Sequence, residues 1–125
     1  MQQPKKKVLI IDDDSRNIFA LTAVLKSKGF QTLSAPGMTE AFAILNNEPE
    51  VGIILLDMMM PDMDGYQALP QIKKEARWAA IPVIAVTAQA MTGDRDRCLA
   101  AGADAYLSKP VDVDQLMYIL NERLK

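Results

Sequence analysis

Short apolar segments alternate along the chain with segments of helical periodicity. Val8–Ile11, Ile53–Leu56 and Val83–Val86 are apolar at every position, which is typical of strands buried on both faces of a sheet. Phe30–Ala35 mixes apolar and polar residues, as expected of an edge strand. In full, the predicted strands are Val8–Ile11, Phe30–Ala35, Val51–Leu56, Pro82–Ala88 and Ala103–Ser108.

The segments between the strands carry apolar residues at helical spacing. The first ends before Gly29, a typical residue to close a helix. Pro70 falls inside the third helical pattern, where a proline costs about 3 kcal/mol in a regular helix, so we expect a kink there or a helix that starts later. The apolar positions of the five predicted helices lie within Ile18–Leu25, Ala41–Leu45, Ala68–Ile72, Cys98–Leu99 and Val113–Leu124.

The fivefold alternation of strand and helix predicts a parallel sheet with helices on both faces. The 125 residues suit one domain, and we assign residues 1–7 to a tail or linker remnant and 8–125 to the domain. A net charge of −2 argues against a dedicated nucleic-acid binder. The chain has no histidine, which excludes a Ser-His-Asp triad and imidazole-bound zinc. A single cysteine and no membrane-length apolar run favour a cytoplasmic location.

Polar residues with matching chemistry follow the strands at one edge of this sheet. Asp12 and Asp13 follow the first strand, Asp57 the third, Thr87 ends the fourth and Lys109 follows the fifth. Ligands of open parallel sheets bind beyond the carboxyl ends of the strands, so these side chains are expected to converge. Clustered carboxylates call for a hard cation such as Mg²⁺, whereas an ammonium and a hydroxyl suit a tetrahedral anion. The set predicts phosphoryl transfer with Asp57 as the nucleophile.

Asp14 also follows the first strand, at the entry to the first helix. An acid at that position is more typical of a helix cap than of a metal ligand. We therefore predict that Asp14 caps the helix and that it is not part of the metal site.

Four motifs taken together are similar to those of the response-regulator receiver domain. They are VLIIDDD at 8–14, LLDMMMPDMDG at 55–65, VTA at 86–88 and KP at 109–110. The resemblance covers essentially the whole chain. It implies an α/β fold of the flavodoxin-like (βα)5 type, a doubly wound parallel sheet with strand order 2-1-3-4-5. It also implies a role as a switch in a two-component phosphorelay.

The resemblance assigns roles to individual residues. Asp57 would accept a phosphoryl group from the phosphohistidine of a histidine kinase or phosphotransfer protein. Asp12, Asp13, Asp57 and the backbone carbonyl of Met59 would hold Mg²⁺. Lys109 would contact a phosphoryl oxygen. Such a domain catalyses its own phosphorylation and dephosphorylation without turning over an independent substrate.

The resemblance also implies a conformational response. Thr87 would follow the phosphoryl group, and Tyr106 would move inward as Thr87 shifts. The Lys109–Pro110 peptide bond is commonly cis in this family. The output face would comprise the fourth helix, fifth strand and fifth helix, here roughly Thr92–Lys125. The segment Ala90–Gly102 resembles receivers attached to hybrid sensor kinases.

Met59 and Gln89 occupy two variable positions that tune loss of the phosphoryl group in receivers. A bulky apolar Met59 shields an acyl phosphate from water and offers no group to orient an attacking water molecule. We therefore predict slow self-dephosphorylation.

Three other functions stay open on the sequence alone. An aspartate-nucleophile phosphatase would use Asp12 and Asp14, but it leaves Asp57 without a role and the chain is short for the usual cap. A flavin module would need a phosphate-binding loop of Gly, Ser and Thr after the first strand. A degenerate receiver would act only as a binding module. Under every reading, contact with DNA or a membrane is not expected of this domain, and the effector and dimerisation are undetermined.

Overall fold

The computed structural model describes residues 7–60, 65–88 and 93–124. Strands and helices alternate throughout, and the parallel sheet has the order β2-β1-β3-β4-β5. The predicted fold class and strand order are therefore confirmed. The elements are β1 (Lys7–Ile11), α1 (Ser15–Ser27), β2 (Gln31–Ala35), α2 (Met38–Asn47), β3 (Val51–Asp57), α3 (Gly65–Lys74), β4 (Val83–Thr87), α4 (Asp94–Ala100), β5 (Ala105–Ser108) and α5 (Val113–Arg123).

The sheet is buried on both faces because helices cover each of them. Alternate side chains of β1, β3 and β4 point to opposite sides, so each strand contributes to two separate apolar clusters. Helices α2, α3 and α4 pack on one face and α1 and α5 on the other. The edge strand β2 is the most exposed of the five, as its mixed sequence predicts.

Two aspartates begin helices at the strand-end edge of the sheet. The Asp14 carboxylate accepts a hydrogen bond from the Arg16 N–H at 3.0 Å and caps α1, which confirms the predicted cap. The Asp112 carboxylate accepts from the Gln115 N–H at 3.1 Å and caps α5. These caps fix short connections after β1 and β5, and so hold the residues between strand and helix in place.

Two sequence expectations need correction. Lys7, assigned to the tail, is the first residue of β1: its N–H donates to the Glu50 carbonyl at 2.8 Å and its ammonium pairs with the Glu48 carboxylate at 3.1 Å. Of the two outcomes expected for Pro70, the later start of the helix is wrong, because α3 runs from Gly65 to Lys74 with the proline inside it, whereas the kink stays a prediction. The Pro70 ring is exposed, so the helix loses one hydrogen-bond donor without a clash in the core.

The Lys109–Pro110 peptide bond is cis, as the resemblance implies. Within residues 7–60, 65–88 and 93–124, no helix has the length and apolar character required to cross a bilayer.

Gly65 is held against the loop that follows β3. A Cβ atom at Gly65 would lie 2.7 Å from the Met58 Cα and would also collide with the Met58 sulfur. We expect Gly65→Ala to lower the free energy of unfolding by about 1–3 kcal/mol, because the backbone cannot move aside cheaply. Urea denaturation measures this. The matched control is Gly37→Ala, whose new methyl meets only the flexible Glu40 carboxylate at 3.3 Å; an equal loss in both variants would contradict the close packing.

Candidate functional site

The predicted site residues converge at the carboxyl ends of β1, β3, β4 and β5. Asp57 and Thr87 are the last residues of β3 and β4, whereas Asp12 and Lys109 directly follow β1 and β5. Asp12, Asp57 and Thr87 are 2%, 4% and 1% exposed, although charged and polar side chains are rarely buried this deeply. The topology thus brings distant parts of the chain together in one polar site.

Asp12 is fixed by donors to both of its oxygens. Its Oδ1 accepts from the Asp14 N–H at 2.9 Å, and its Oδ2 accepts from the Asn17 side-chain amide at 2.5 Å. The same Oδ2 lies 3.2 Å from the Lys109 ammonium. Asn17 is not among the residues predicted for the site, although its position in the first turn of the helix that follows Asp12 is a signal for such a contact.

Among the described residues, Asp57 has fewer hydrogen-bond and ion-pair partners than Asp12. Its Oδ1 accepts from the Met59 N–H at 3.0 Å, and its Oδ2 lies 3.6 Å from the Lys109 ammonium. Burial raises the pKa of Asp57 to about 6, and the negative charge of Asp12 adds to this effect. The Met59 N–H and the Lys109 charge act in the opposite direction but do not cancel it. The ionised form of Asp57 therefore destabilises the folded protein.

Lys109 is the cation placed between the two buried carboxylates. Burial by itself lowers the pKa of Lys109, but the Asp57 and Asp12 carboxylates outweigh burial and leave the pKa above its usual value. The ammonium therefore remains charged at neutral pH. Its backbone N–H donates to the Thr87 carbonyl at 2.8 Å, which ties the residue after β5 to the end of β4.

Asp13 adds a third carboxylate at the surface of the site. One oxygen from each of Asp12, Asp13 and Asp57 can be chosen so that all lie within 4.8 Å of one another. The three carboxylates carry three negative charges, and the Lys109 ammonium, which pairs with Asp12 and Asp57, supplies one positive charge. Negative charge is therefore left uncompensated, and hard oxygen donors are the ligands that Mg²⁺ prefers. The residues present therefore fit a magnesium ion. The predicted fourth ligand, the Met59 carbonyl, belongs to a residue whose N–H already contacts Asp57.

The two predicted switch residues lie on neighbouring strands. Tyr106 on β5 is in register with Ala85 on β4, two residues before Thr87, so strand alternation places Thr87 and Tyr106 on the same face of the sheet. Tyr106 is half-buried, and its hydroxyl donates to Asp94 Oδ2 at 3.4 Å. Met59 is 50% exposed beside Asp57. Gln89, the second predicted tuning position, lies outside the described residues.

Comparison with known proteins gives a consistent match along almost the whole chain. The sequence model of the response regulator receiver domain matches residues 8–121. Response regulator Rre1 of Synechocystis sp. is 37% identical over 94% of this chain, which spans 51% of that protein. Protein PilH of Pseudomonas aeruginosa is 36% identical over 92% of this chain and 94% of its own length. The chain therefore spans about half of one relative and nearly all of another.

The fold is also shared with solved structures. The receiver domain of sensor histidine kinase PA1611 from Pseudomonas aeruginosa PAO1 superposes with a TM-score of 0.85 at 31% identity, covering 96% of this chain and 98% of that one. That crystal structure has a magnesium ion coordinated in its active site cleft.

The raised pKa of Asp57 generates a stability prediction. A carboxyl whose pKa is higher in the folded than in the unfolded protein destabilises the fold progressively as pH rises from about 4 to 6. We expect Asp57→Asn to raise the free energy of unfolding at pH 7 by up to about 3 kcal/mol, with no gain near pH 4. Urea denaturation in a chelator measures it.

The exposed acid Asp13 offers the matched control, because Asp13→Asn removes a negative charge without relieving burial. Its stability gain should be smaller than that of Asp57→Asn. A stability loss in Asp57→Asn at pH 7 would contradict the assignment of Asp57 as an unfavourably buried charge.

Proposed function

The chain belongs to the response regulator receiver domain family, and on that premise we propose that it is a phosphoacceptor switch in a phosphorelay. Asp57 accepts the phosphoryl group from a phosphohistidine of a histidine kinase or phosphotransfer protein. The observation that carries the proposal is the pairing of a buried, weakly partnered Asp57 carboxylate with the Lys109 ammonium at 3.6 Å.

The reaction follows from the groups around Asp57. A carboxylate oxygen of Asp57 forms a bond to phosphorus while the phosphorus–nitrogen bond to the donor imidazole breaks, giving an acyl phosphate. The Lys109 ammonium stabilises negative charge on the transferred group. Asp12, Asp13, Asp57 and the Met59 carbonyl would hold Mg²⁺, which when bound neutralises charge between the phosphate and the carboxylates.

Asp57 is favoured over Asp12 as the acceptor by their different hydrogen bonds. Asp12 Oδ2 is occupied by the Asn17 amide and the Lys109 ammonium, and Oδ1 by the Asp14 N–H. Within residues 7–60, 65–88 and 93–124, the cation paired with Asp57 Oδ2 is Lys109, at the longer distance of 3.6 Å. This difference weighs against the phosphatase alternative, which would require Asp12 as the nucleophile.

The acyl phosphate would act through Thr87 and Tyr106. Phosphorylation adds about −1.5 to −2 charge at the strand ends. In our proposal the Thr87 hydroxyl moves toward this charge, Tyr106 follows inward, and partners read the change on the face formed by α4, β5 and α5. The effector itself is not identified, and dimerisation through this face is one form that the output can take.

The relatives also bear on whether this receiver is part of a larger protein. Because the PA1611 domain belongs to a sensor histidine kinase and is 31% identical, we favour a receiver of a hybrid kinase over a single-domain regulator. The 94% coverage of PilH keeps the single-domain arrangement as the competing form.

Intact-mass spectrometry after incubation with a small-molecule phosphodonor tests the proposal. The wild type should gain one phosphoryl group in the presence of Mg²⁺ and none in a chelator, whereas Asp57→Asn should gain none. Asp13→Asn, which leaves the acceptor in place, should keep slow modification at raised Mg²⁺. An adduct that persists in Asp57→Asn would place the acceptor elsewhere and overturn the proposal.

Met59 provides a separate prediction on the lifetime of the acyl phosphate. Its side chain is half-exposed beside Asp57 and cannot orient water. We expect Met59→Asn to speed self-dephosphorylation several-fold, because an amide can hold an attacking water molecule. Loss of the adduct with time, followed by mass, measures the rate. Met59→Leu keeps the apolar bulk and should match the wild type; equal rates in all three proteins would contradict the shielding role.

A further inference from the structure

One carboxylate joins three elements next to the predicted switch. Asp94, the first residue of α4, accepts a hydrogen bond from the Tyr66 hydroxyl on Oδ1 at 2.9 Å. It accepts another from the Tyr106 hydroxyl on Oδ2 at 3.4 Å. Tyr66 lies on α3 and Tyr106 on β5, so Asp94 links α3, α4 and β5 through its two oxygens.

The hydrogen bond between Tyr66 and Asp94 is reinforced by further contacts of Tyr66. The Arg97 guanidinium lies 4.0 Å from the centre of the Tyr66 ring, in the geometry of a cation–π contact. The Tyr66 hydroxyl also lies 3.4 Å from the Cys98 sulfur. Burial, with Cys98 and Asp94 alongside, raises the pKa of Tyr66 far above its usual value, so the hydroxyl stays a donor. These contacts fix Asp94 from the α3 side.

The hydrogen bond between Tyr106 and Asp94 is the weaker of the two. Its donor–acceptor distance of 3.4 Å is longer than the roughly 2.5–3.0 Å typical of O–H···O hydrogen bonds, so this hydrogen bond is weak. The Tyr106 ring lines an open surface groove of about 400 Å³ together with Gln115, Tyr118 and Ile119. Tyr106 therefore lies toward the surface in this conformation, and Asp94 contacts the hydroxyl in that position.

We propose that Tyr66 and Asp94 are positioning residues that hold Tyr106 in its outward position. The inference rests on the proposed function, in which Tyr106 moves inward when Asp57 is phosphorylated. Inward movement takes the Tyr106 hydroxyl away from Asp94 and costs that hydrogen bond. Asp94 remains held by Tyr66, so the weaker bond breaks first and α4 keeps its anchor on α3.

The arrangement has a thermodynamic consequence for Asp57. The Tyr106–Asp94 hydrogen bond forms only when Tyr106 is outward, so it lowers the affinity of any ligand that binds better when Tyr106 is inward. By the same linkage, such a ligand weakens this hydrogen bond. Weakening the Tyr66–Asp94–Tyr106 link therefore strengthens binding of a phosphoryl group or its mimic at Asp57. Tyr66 would set this affinity without touching the site.

Calorimetric titration with beryllofluoride, a phosphoryl mimic, in saturating Mg²⁺ tests the proposal. Tyr66→Phe keeps the ring over which Arg97 lies and removes only the hydroxyl. We expect it to bind beryllofluoride about fivefold more tightly than the wild type. In a Tyr106→Phe background, the same substitution should change the affinity less than twofold, because its effect passes through the Tyr106 hydroxyl.

Ser27→Ala is the control, because it removes an exposed hydroxyl that donates to the Val24 carbonyl at 2.7 Å on α1, the helix on the opposite face of the sheet from α3 and α4. It should leave the affinity unchanged. Equal affinities of Tyr66→Phe and the wild type would overturn the proposal, even if Tyr66→Phe melts at a lower temperature. An equal effect of Tyr66→Phe with and without the Tyr106 hydroxyl would also overturn it. Failure of the wild type to bind beryllofluoride would instead contradict the proposed function itself.

Discussion

The structure depends on one imbalance of charge: in the part of the chain that the structure describes, Lys109 is the one cation paired with the two buried carboxylates of Asp12 and Asp57. A charge buried without full compensation raises the free energy of the fold, and the raised pKa of Asp57 reports that cost. The same shortage of positive charge makes the site attractive to a hard cation. Instability and cation binding therefore have one physical origin.

The parallel sheet offsets the destabilising effect of the buried charges. The buried strands β1, β3 and β4 fix the backbone at three neighbouring carboxyl ends, and β5 is held beside them by pairing with β4. The apolar clusters on either side supply the stability that the site lacks. The Asp14 and Asp112 caps then hold the short connections that carry Asp12 and Lys109. Stability is concentrated in the sheet and reactivity at its edge, a common division between scaffold and site.

The sequence predicts the parts of the molecule that depend on local patterns. Continuous apolar runs such as Val83–Val86 identify buried strands, and strand-end residues such as Asp57 and Lys109 identify the site. Contacts between distant positions leave no such pattern. The hydrogen bond from Tyr66 to Asp94 joins residues 28 apart in sequence, and only the packing of α3 against α4 reveals it. Lys7 was misassigned because its pairing depends on Glu48 and Glu50.

Direct mapping of the modified residue shows whether Asp57 is the phosphoryl acceptor. The wild type would be phosphorylated with a small-molecule donor, reduced with borohydride, which converts an aspartyl phosphate into homoserine, and digested for peptide mass mapping. If Asp57 is the acceptor, homoserine appears at position 57 and the aspartates at positions 12 and 13 stay unchanged. Homoserine at Asp12 or Asp13, with Asp57 intact, would contradict this assignment.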